Sequence, residues 1–309
     1  MQIPRTRTWG IGLAAVTAVV SGIAVYTNGF GVRAWREAGI SSATYTTAKN
    51  LVAAGIVLVI AVVVTRSRAS SRQSGPISRS DWVALFVIGV IGGSTPFLMF
   101  FEGLSRASTG QAAFIHKTLV IWVALLAVPL LGEKIKAPHV AAIALLAAGQ
   151  FMLIGGIADI TWGTGEWLIL GATLLWSIEV IVAKRVLKRV PSSKAAAARL
   201  GLGAVVLVGY GLVTGAFSGL ATLGAAEWAW IAPTALTLSL YVTSWYGALE
   251  RAPAVDVTAV LVFGAVITAL LRTGIDGAAL PSAAGLGLVT AGAALAIATA
   301  LRSRRPIIT

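Results

Sequence analysis

Runs of about 20 apolar residues recur along almost the whole 309-residue chain, and this feature limits its fold more than any other. A helix needs about 20 consecutive apolar residues to cross the hydrocarbon core of a bilayer. The runs do not alternate between apolar and polar residues, as the strands of a membrane barrel would. Only 11% of the residues are charged, well below the roughly 25% of soluble domains. The sequence therefore predicts an all-α, multi-pass membrane protein.

The apolar runs predict ten transmembrane helices. The predicted spans are residues 9–30, 43–65, 82–103, 107–131, 137–157, 166–187, 195–217, 228–249, 253–273 and 281–301. Pro96 in the third span and Pro233 in the eighth lie at similar depths, and we expect helix breaks there because proline removes a helical hydrogen bond. The polar stretch 66–80 is rich in Ser and Arg but short, which indicates a loop and not a domain.

The distribution of charge predicts the orientation of the chain. Placing both termini in the cytoplasm puts most of the 24 lysines and arginines on the cytoplasmic side, and Arg199 is counted among them. The outer loops 158–165 and 218–227 then contain no Lys or Arg, as the positive-inside rule requires. The net charge of +13 therefore reflects topology and attraction to anionic lipid, and it does not indicate a nucleic-acid partner. We expect a bacterial inner-membrane (plasma-membrane) protein.

The sequence contains a weak internal repeat. The stretch FFEGLSRAS (100–108) matches WYGALERAP (245–253) at a shift of 245 − 100 = 145 residues. At a slightly larger shift, Asn28 near the end of the first span corresponds to Glu179 near the end of the sixth. These matches predict two related halves of the chain.

The predicted halves are residues 1–157 and 158–309, each with five transmembrane helices. Because five is odd, the second half must insert upside down relative to the first. Inverted repeats of this kind are typical of secondary transporters, in which the substrate binds near the bilayer midplane between the halves.

Several short motifs carry a family resemblance. They are VPLLGEKIKAPHVAAIALLAAGQFML (128–153) with its Gly132-Glu133 turn, Asn28-x-x-x-x-Arg33, Trp176-x-x-Glu179-x-x-x-x-Lys184, and YTTAKNLVAAGIVL (45–58) with Lys49. With these motifs the chain resembles the drug/metabolite transporter superfamily, and specifically its EamA-type ten-helix members. The second half departs from this pattern, because Gly277-Ala278 stands in place of the Gly-Glu turn. The resemblance implies export of small metabolites, commonly amino acids or related compounds, through a central cavity that opens alternately to each side.

Ionisable residues inside the fourth span are the first site candidates. Lys117 directly follows His116 near mid-depth in AAFIHKTLVIWVALLAV (112–128). A lysine facing lipid would cost roughly 2.5–3.5 kcal/mol, so we expect Lys117 to face the bundle interior. There it binds a substrate carboxylate or forms a structural pair with Glu179. His116 lies about 100° away around the helix, as a proton acceptor or as a neutral side chain bonded to the backbone.

The other predicted substrate-binding residues come from four further spans and from the fourth. Glu179 is a candidate proton carrier, a counter-ion for Lys117 or Lys49, or a purely structural partner. The remaining candidates are Asn28, Lys49 and the deep aromatic residues Tyr26, Trp122, Trp176, Tyr241 and Trp245. Aromatic faces would suit an amphipathic substrate, although each of these rings could equally pack in the core.

These observations predict a secondary transporter that exports small metabolites, with amino acids or related amphipathic compounds as the expected substrates. A proton is a candidate coupling ion, and the sequence does not specify an oligomeric state. A channel-like facilitator is one alternative, and an intramembrane enzyme using His116, Lys117 and Glu179 is another. We do not expect an enzyme or a cofactor, because the chain has no cysteine, only two histidines and no nucleophile motif.

Overall fold

The computed structural model describes residues 3–67, 77–153, 162–279 and 282–302, with side chains from residue 6 onward. Within these ranges every regular element is a helix, which confirms the all-α prediction for this part of the chain. Most of the Ser/Arg-rich loop and the end of the predicted fifth span, residues 154–157, lie outside the described residues.

The described residues of the first half form seven helical segments. They are α1 (Ile3–Glu37), α2 (Ser42–Ser67), α3 (Arg79–Ile91), α4 (Thr95–Leu104), α5 (Thr109–Lys117), α6 (Leu119–Leu131) and α7 (Ala137–Leu153). The second half follows a similar order and adds a short turn and a short helix. Its elements are α8 (Thr164–Val186), α9 (Ser192–Thr214), a 3₁₀ turn (Leu220–Thr222), α10 (Ala225–Trp228), α11 (Ile231–Arg251), α12 (Ala254–Leu261), α13 (Gly264–Asp276) and α14 (Ala283–Arg302).

Among the described residues, eight helical segments are long and apolar enough to cross a membrane, with α3–α4, α5–α6 and α12–α13 each counted as one. The described part of α7 has 17 residues, and α11 is less apolar because it carries several Thr, Ser and aromatic residues. The structure therefore supports a multi-pass helical membrane protein, whereas the fifth and eighth predicted spans, and with them the count of ten, stay predictions.

Three of the predicted spans are interrupted near their middles. The third breaks between α3 and α4 at residues 92–94, the fourth at Thr118 and the ninth at residues 262–263. The breaks in the fourth and ninth spans are related by the internal repeat, since 118 + 145 = 263. Pro96 follows the break in the third span as the second residue of α4, where its missing N–H leaves no helical bond unmade. Pro233 lies in the first turn of α11, so the break predicted there is wrong.

Helices α1 and α8 begin at opposite ends of the bundle. Arg7 near the start of α1 donates a hydrogen bond to Asp256 (2.7 Å) at the end that carries loops 132–136 and 187–191, which we call the basic end. At the other end, a Cβ on Gly165 at the start of α8 would lie 3.0 Å from the Cβ of Arg106. The most extensive helix contacts, α7–α14, α1–α11, α2–α9 and α4–α8, all join the two halves. The two halves therefore pack extensively against each other.

Candidate functional site

Three charged side chains are buried together with aromatic residues where the broken third span passes between the halves. Lys49 of α2, Glu179 of α8 and Arg199 of α9 are each no more than 2% exposed. Ionisable groups at membrane depth are expensive to bury and usually mark a functional site. We call Lys49, Glu179, Arg199, Tyr246 and Phe97 the central cluster.

Glu179 and Arg199 form the ionic part of the central cluster. The Arg199 Nη2 atom lies 3.9 Å from Oε2 of Glu179, and the Tyr246 hydroxyl donates a short hydrogen bond to Oε1 of Glu179. A long ion pair in a low-dielectric interior compensates the buried carboxylate only in part, and the tyrosine bond adds to it. All three side chains belong to the second half of the chain.

Lys49 reaches the cluster from the first half and meets aromatic faces instead of a carboxylate. Its ammonium lies 3.5 Å from the ring centre of Phe101, 5.3 Å from that of Phe97 and 5.9 Å from that of Tyr45. The Arg199 guanidinium lies 5.8 Å from the same Phe97 ring. Cation–π contacts stabilise such groups by about 0.5–2 kcal/mol, less than a counter-ion would. Phe97 thus joins one cation from each half.

The central cluster contains more hydrogen-bond donors than acceptors. Among the described residues, Nε and Nη1 of Arg199 are buried without a hydrogen-bond partner, and Lys49 contacts no carboxylate. Asn50, next to Lys49, donates to the Gly93 carbonyl (3.5 Å), while its own side-chain oxygen accepts no hydrogen bond from any described residue. Buried polar groups are almost always paired, so unpaired ones require an explanation. Charged donors without acceptors favour the binding of an anionic group at this site.

His116 and Trp176 extend the aromatic wall of this site. The His116 ring lies 5.1 Å from Trp176 and 5.3 Å from Phe100, and its buried Nδ1 atom has no hydrogen-bond partner in the described part of the chain. The Trp176 indole donates to the Gly92 carbonyl (3.0 Å), which the break in the third span leaves outside the regular helix. The break in the third span therefore positions Trp176 of the aromatic wall as well as the central cluster.

Helix α4 begins at mid-depth with its N-terminal end in the cluster. Its first residues are Thr95, Pro96 and Phe97, and Phe97 contacts both cations. The N-terminal end of a helix carries a partial positive charge, and transporters use such half-helices to hold anionic substrate groups. The dipole of α4 thus adds to the positive character of the cluster.

Lys117 faces a different part of the bundle from His116. Its ammonium donates to the Ser21 hydroxyl of α1 (2.7 Å), and a Cβ on Gly264 would lie 3.3 Å from it. Among the described residues Glu179 pairs with Arg199 and with neither Lys117 nor Lys49, so the ion pairs considered from the sequence are wrong. His116 and Lys117 are adjacent in sequence, but their side chains therefore lie in two separate environments.

Asn28 and Tyr26 lie outside the central cluster. The Asn28 amide donates to the Ala24 carbonyl (2.8 Å) and accepts a hydrogen bond from Tyr45 (3.0 Å). Tyr45 therefore lies between Asn28 and Lys49, because its hydroxyl contacts Asn28 and its ring contacts the Lys49 ammonium. The Tyr26 hydroxyl donates to Asp276 near the end opposite the basic end.

The other predicted aromatic residues lie around the helices that frame the site. The Trp122 indole donates to the Thr118 hydroxyl (3.1 Å) at the break in the fourth span. Tyr241 and Trp245 of α11 stack with ring centres 5.9 Å apart, and Trp245 is buried. Their α11 also carries Tyr246, which contacts Glu179.

The sequence did not indicate Arg199, Tyr246, Phe97 or Asn50 as site residues. Arg199 was counted as a cytoplasmic charge, and this was wrong because it lies inside α9 and is 2% exposed. The internal repeat contains the signal that indicates Arg199 as a site residue. Lys49 maps onto Arg199 at a shift of 199 − 49 = 150, close to the shift that relates Asn28 to Glu179. Both cations follow the first residue of their helices, Ser42 and Ser192, by seven positions.

The fold and the buried ionic cluster define a helical membrane protein built from two related halves. Residues 8–155 and 163–300 match the sequence model of the EamA-like transporter family, and the chain belongs to this family, within the drug/metabolite transporter superfamily. It is therefore a membrane transporter of that superfamily. A crystal structure of a protein with 19% identity superimposes with a TM-score of 0.69 and covers 94% of this chain and 99% of the other, which supports the fold. No curated protein sequence matches this chain.

Proposed function

We propose that this protein is a secondary transporter that exports small metabolites, with amino acids or related amphipathic compounds as substrates, by alternating access. The observation that supports this most strongly is the charge balance of the central cluster. Two buried cations, Lys49 and Arg199, face one carboxylate, that of Glu179. A substrate carboxylate would balance the second cation and accept hydrogen bonds from Nε and Nη1 of Arg199, which have no partner among the described residues.

Each part of the site has a role in this proposal. Arg199 and Lys49 hold the substrate carboxylate, so the anion-binding role that the sequence suggested for Lys117 passes to these two residues. Glu179 balances the charge of Arg199 and offers an acceptor for a substrate ammonium or a coupling proton. Phe97 and Trp176 provide aromatic faces for an apolar side chain.

Alternating access requires that contacts between the halves break at each end in turn. At the basic end, Glu133 accepts hydrogen bonds from the amides of Ala254 (2.7 Å) and Val255 (3.1 Å). At the other end, the Trp35 indole donates to the Glu227 carbonyl (2.8 Å). In this arrangement the central cluster is held between two sets of contacts. By the positive-inside rule we place the basic end, and both termini, in the cytoplasm.

The two alternatives fit the geometry less well. An intramembrane enzyme using His116, Lys117 and Glu179 would need these groups side by side, whereas Lys117 contacts Ser21 and Glu179 contacts Arg199. A channel-like facilitator would need polar groups along one continuous path, whereas the buried charges of the central cluster are concentrated near the break in the third span.

Counterflow of labelled amino acids into proteoliposomes tests the transport site. We expect saturable uptake in the wild type and, in Lys49→Met, a loss of apparent affinity of about tenfold or more, because a hydrogen bond to a charged group contributes about 1.5–3 kcal/mol. Lys117→Met is the matched control, since it removes a buried lysine at similar depth outside the cluster, and we expect it to retain saturable uptake.

Two results would contradict this assignment in different ways. If Lys117→Met removed saturation while Lys49→Met transported normally, the substrate anion would bind at Lys117 and the transporter class would stand. Ion conductance without saturation in the wild type would support the channel alternative.

The contacts of Glu133 predict a pH dependence of opening at the basic end. Burial raises the pKa of the Glu133 carboxyl above its ordinary value of 4.5, although the bonds from Ala254 and Val255 act in the opposite direction. In the closed state Glu133 therefore binds a proton more readily than an exposed carboxyl does. The stability of the closed basic end declines as the pH rises from 4.5 toward the raised pKa of Glu133. We expect easier opening as the pH rises through this window.

Spin labels can measure this opening, because the chain has no native cysteine to interfere. Distances between labels at Lys134→Cys and Lys188→Cys should lengthen with rising pH in the wild-type background. In Glu133→Gln the distances should no longer depend on pH over this window. An unchanged pH profile in Glu133→Gln would assign the dependence to another group.

A further inference from the structure

The turns that end the fourth and ninth spans have the same backbone geometry at opposite ends of the bundle. In each turn a left-handed glycine is followed by an amide that donates to a carbonyl of the preceding helix. The glycines are Gly132 (φ 67°) and Gly277 (φ 68°), and the hydrogen bonds run from Glu133 to Ala127 (3.3 Å) and from Ala278 to Arg272 (3.2 Å). The internal repeat relates these positions, since 278 − 133 = 145. The two turns therefore differ in their side chains and not in their backbone.

Glu133 of the first turn connects the two halves of the chain. Its carboxyl oxygens accept hydrogen bonds from the amides of Ala254 (2.7 Å) and Val255 (3.1 Å), the first two residues of α12. The first amides of a helix have no partner within that helix, so a side-chain acceptor placed there is stabilising. We call these two hydrogen bonds the Glu133 contact. The Glu133 contact holds the basic end closed.

The repeat-related turn at the other end provides no such contact. Ala278 lies where Glu133 lies in the first turn, and its methyl side chain accepts no hydrogen bond. Thr109 and Gly110 at the start of α5 match the two bonded residues of α12, since 254 − 145 = 109. Helix α5 is capped by its own Ser108, and no described carboxylate contacts the Thr109 and Gly110 amides. Contact between the halves at this place therefore lacks an acceptor.

A cation lies at the start of α5 instead. A Cβ on Gly110 would lie 3.2 Å from Nη1 of Arg272, whose repeat-related residue at the basic end is Ala127. Asp276, one turn after Arg272, accepts a hydrogen bond from Tyr26 and forms no ion pair with Arg272 within 4.0 Å. The N-terminal end of a helix carries a partial positive charge, so a cation beside it is unfavourable. Closer approach of α13 to α5 is opposed by this charge.

We propose that the difference between Glu133 and Ala278 determines which end of the empty transporter is closed. Of the two repeat-related turns, the one at the basic end holds the halves together, whereas the other lacks an acceptor and places Arg272 beside α5. Closure of the basic end is therefore favoured when no substrate is bound. This inference rests on the alternating access proposed above. A substrate that arrives at the basic end then finds the open state only part of the time, which lowers its apparent affinity from that side.

Ala278→Glu tests this inference because it supplies the missing acceptor. Spin labels at Trp162→Cys and Ile275→Cys report on the other end, since both residues are exposed and α8 packs against α4 and α5 whereas α13 packs against α1. Labels at Lys134→Cys and Lys188→Cys report on the basic end. With no substrate added, we expect Ala278→Glu to shorten the first distance and lengthen the second. The ratio of the two populations should change by about tenfold, as a carboxylate at a helix N-terminus produces.

Two further variants control for side-chain size and test the charge. Ala278→Met matches the length of glutamate without an acceptor, so it should keep the wild-type distances. Arg272→Gln removes the cation beside α5 and should shift the populations in the same direction as Ala278→Glu, by about threefold. Thermal unfolding verifies that each variant is folded, and Arg272→Gln keeps the inference testable if Ala278→Glu is unstable.

The outcomes separate this inference from the proposed function. Two populations in the wild type that neither Ala278→Glu nor Arg272→Gln changes would overturn the inference and leave alternating access standing. An equal shift in Ala278→Met would also overturn it, because size and not an acceptor would then be the cause. A single fixed distance at each end in every variant would contradict alternating access itself, and this inference with it. The amino-acid substrate is not tested, because no substrate is present.

Discussion

Arg199→Met is expected to abolish saturable counterflow and to lower the free energy of unfolding by about 3–5 kcal/mol. Arg199 is the ionic partner of Glu179, which is 1% exposed, and removing one member of a buried pair leaves the other charge uncompensated. The Tyr246 hydroxyl would then be the one remaining polar contact of Glu179 among the described residues. Thermal unfolding and counterflow on the same protein preparation measure both effects.

The double variant Arg199→Met/Glu179→Gln separates a structural role from a substrate-binding role. Replacing both charges removes the uncompensated carboxylate, so most of the lost stability should return, as it does when buried ion pairs are replaced by neutral groups. Transport should not return, because the cation that holds the substrate carboxylate is still absent. Double-mutant analysis of the two unfolding free energies gives the coupling between the residues.

Arg199→Lys provides a conservative comparison. A lysine keeps the positive charge but cannot offer two parallel donors to a carboxylate, so we expect stability close to the wild type and weakened substrate affinity. If the double variant transported amino acids with wild-type affinity, the pair would be structural and the substrate site would lie elsewhere. Normal transport by Arg199→Met alone would contradict the proposed site outright.

The sequence was sufficient to predict the helical class, most of the spans and the repeat, because each rests on local hydropathy or on matched positions along the chain. It did not predict which buried charges meet. Lys117 and His116 are adjacent in sequence, yet the turn of the helix points one toward Ser21 and the other toward Trp176. A lysine was one of the candidate partners of Glu179, but Glu179 pairs with Arg199, whose helix begins earlier than predicted.

The error at Arg199 has a simple physical origin. The predicted seventh span began at residue 195, so Arg199 fell within one turn of its end and was assigned to the cytoplasmic charges. The helix begins at Ser192, which places Arg199 two turns deep, at about 1.5 Å per residue. When a helix boundary is uncertain by three residues, the sequence alone does not distinguish a charged residue in a loop from one buried in the first turns of the helix. The tertiary contacts of α9 with α3 and α2 then decide what Arg199 faces.

Gly93→Ala is expected to have the largest effect on stability of any single methyl group added to the chain near the site. A Cβ on Gly93 would overlap the carbonyl oxygen of Arg199 and lie 2.9 Å from its carbonyl carbon. These are backbone atoms of a helix, so no side-chain rotation relieves the contact. Overpacking typically costs about 1–3 kcal/mol, and we expect the upper part of this range or more.

Gly201→Ala is the matched control for Gly93→Ala. Gly201 lies in α9 two residues from Arg199, and a Cβ there would meet nothing within 4 Å. The control should be neutral or gain up to about 1 kcal/mol from helix propensity, with normal transport. Thermal unfolding of both variants in the same detergent, together with counterflow, compares them directly.

Gly93→Ala also tests whether the broken span positions the site. The clash moves the backbone of Arg199 away from α3, so its guanidinium should shift relative to Phe97 and Glu179, and substrate affinity should fall along with stability. An unstable variant with wild-type affinity would show that the close approach of α3 and α9 serves folding alone. Loss of affinity in Gly93→Ala but not in Gly201→Ala would mean that the break at residues 92–94 sets the positions of Lys49 and Arg199. A break in one half of the chain would then determine the geometry of a site that both halves form.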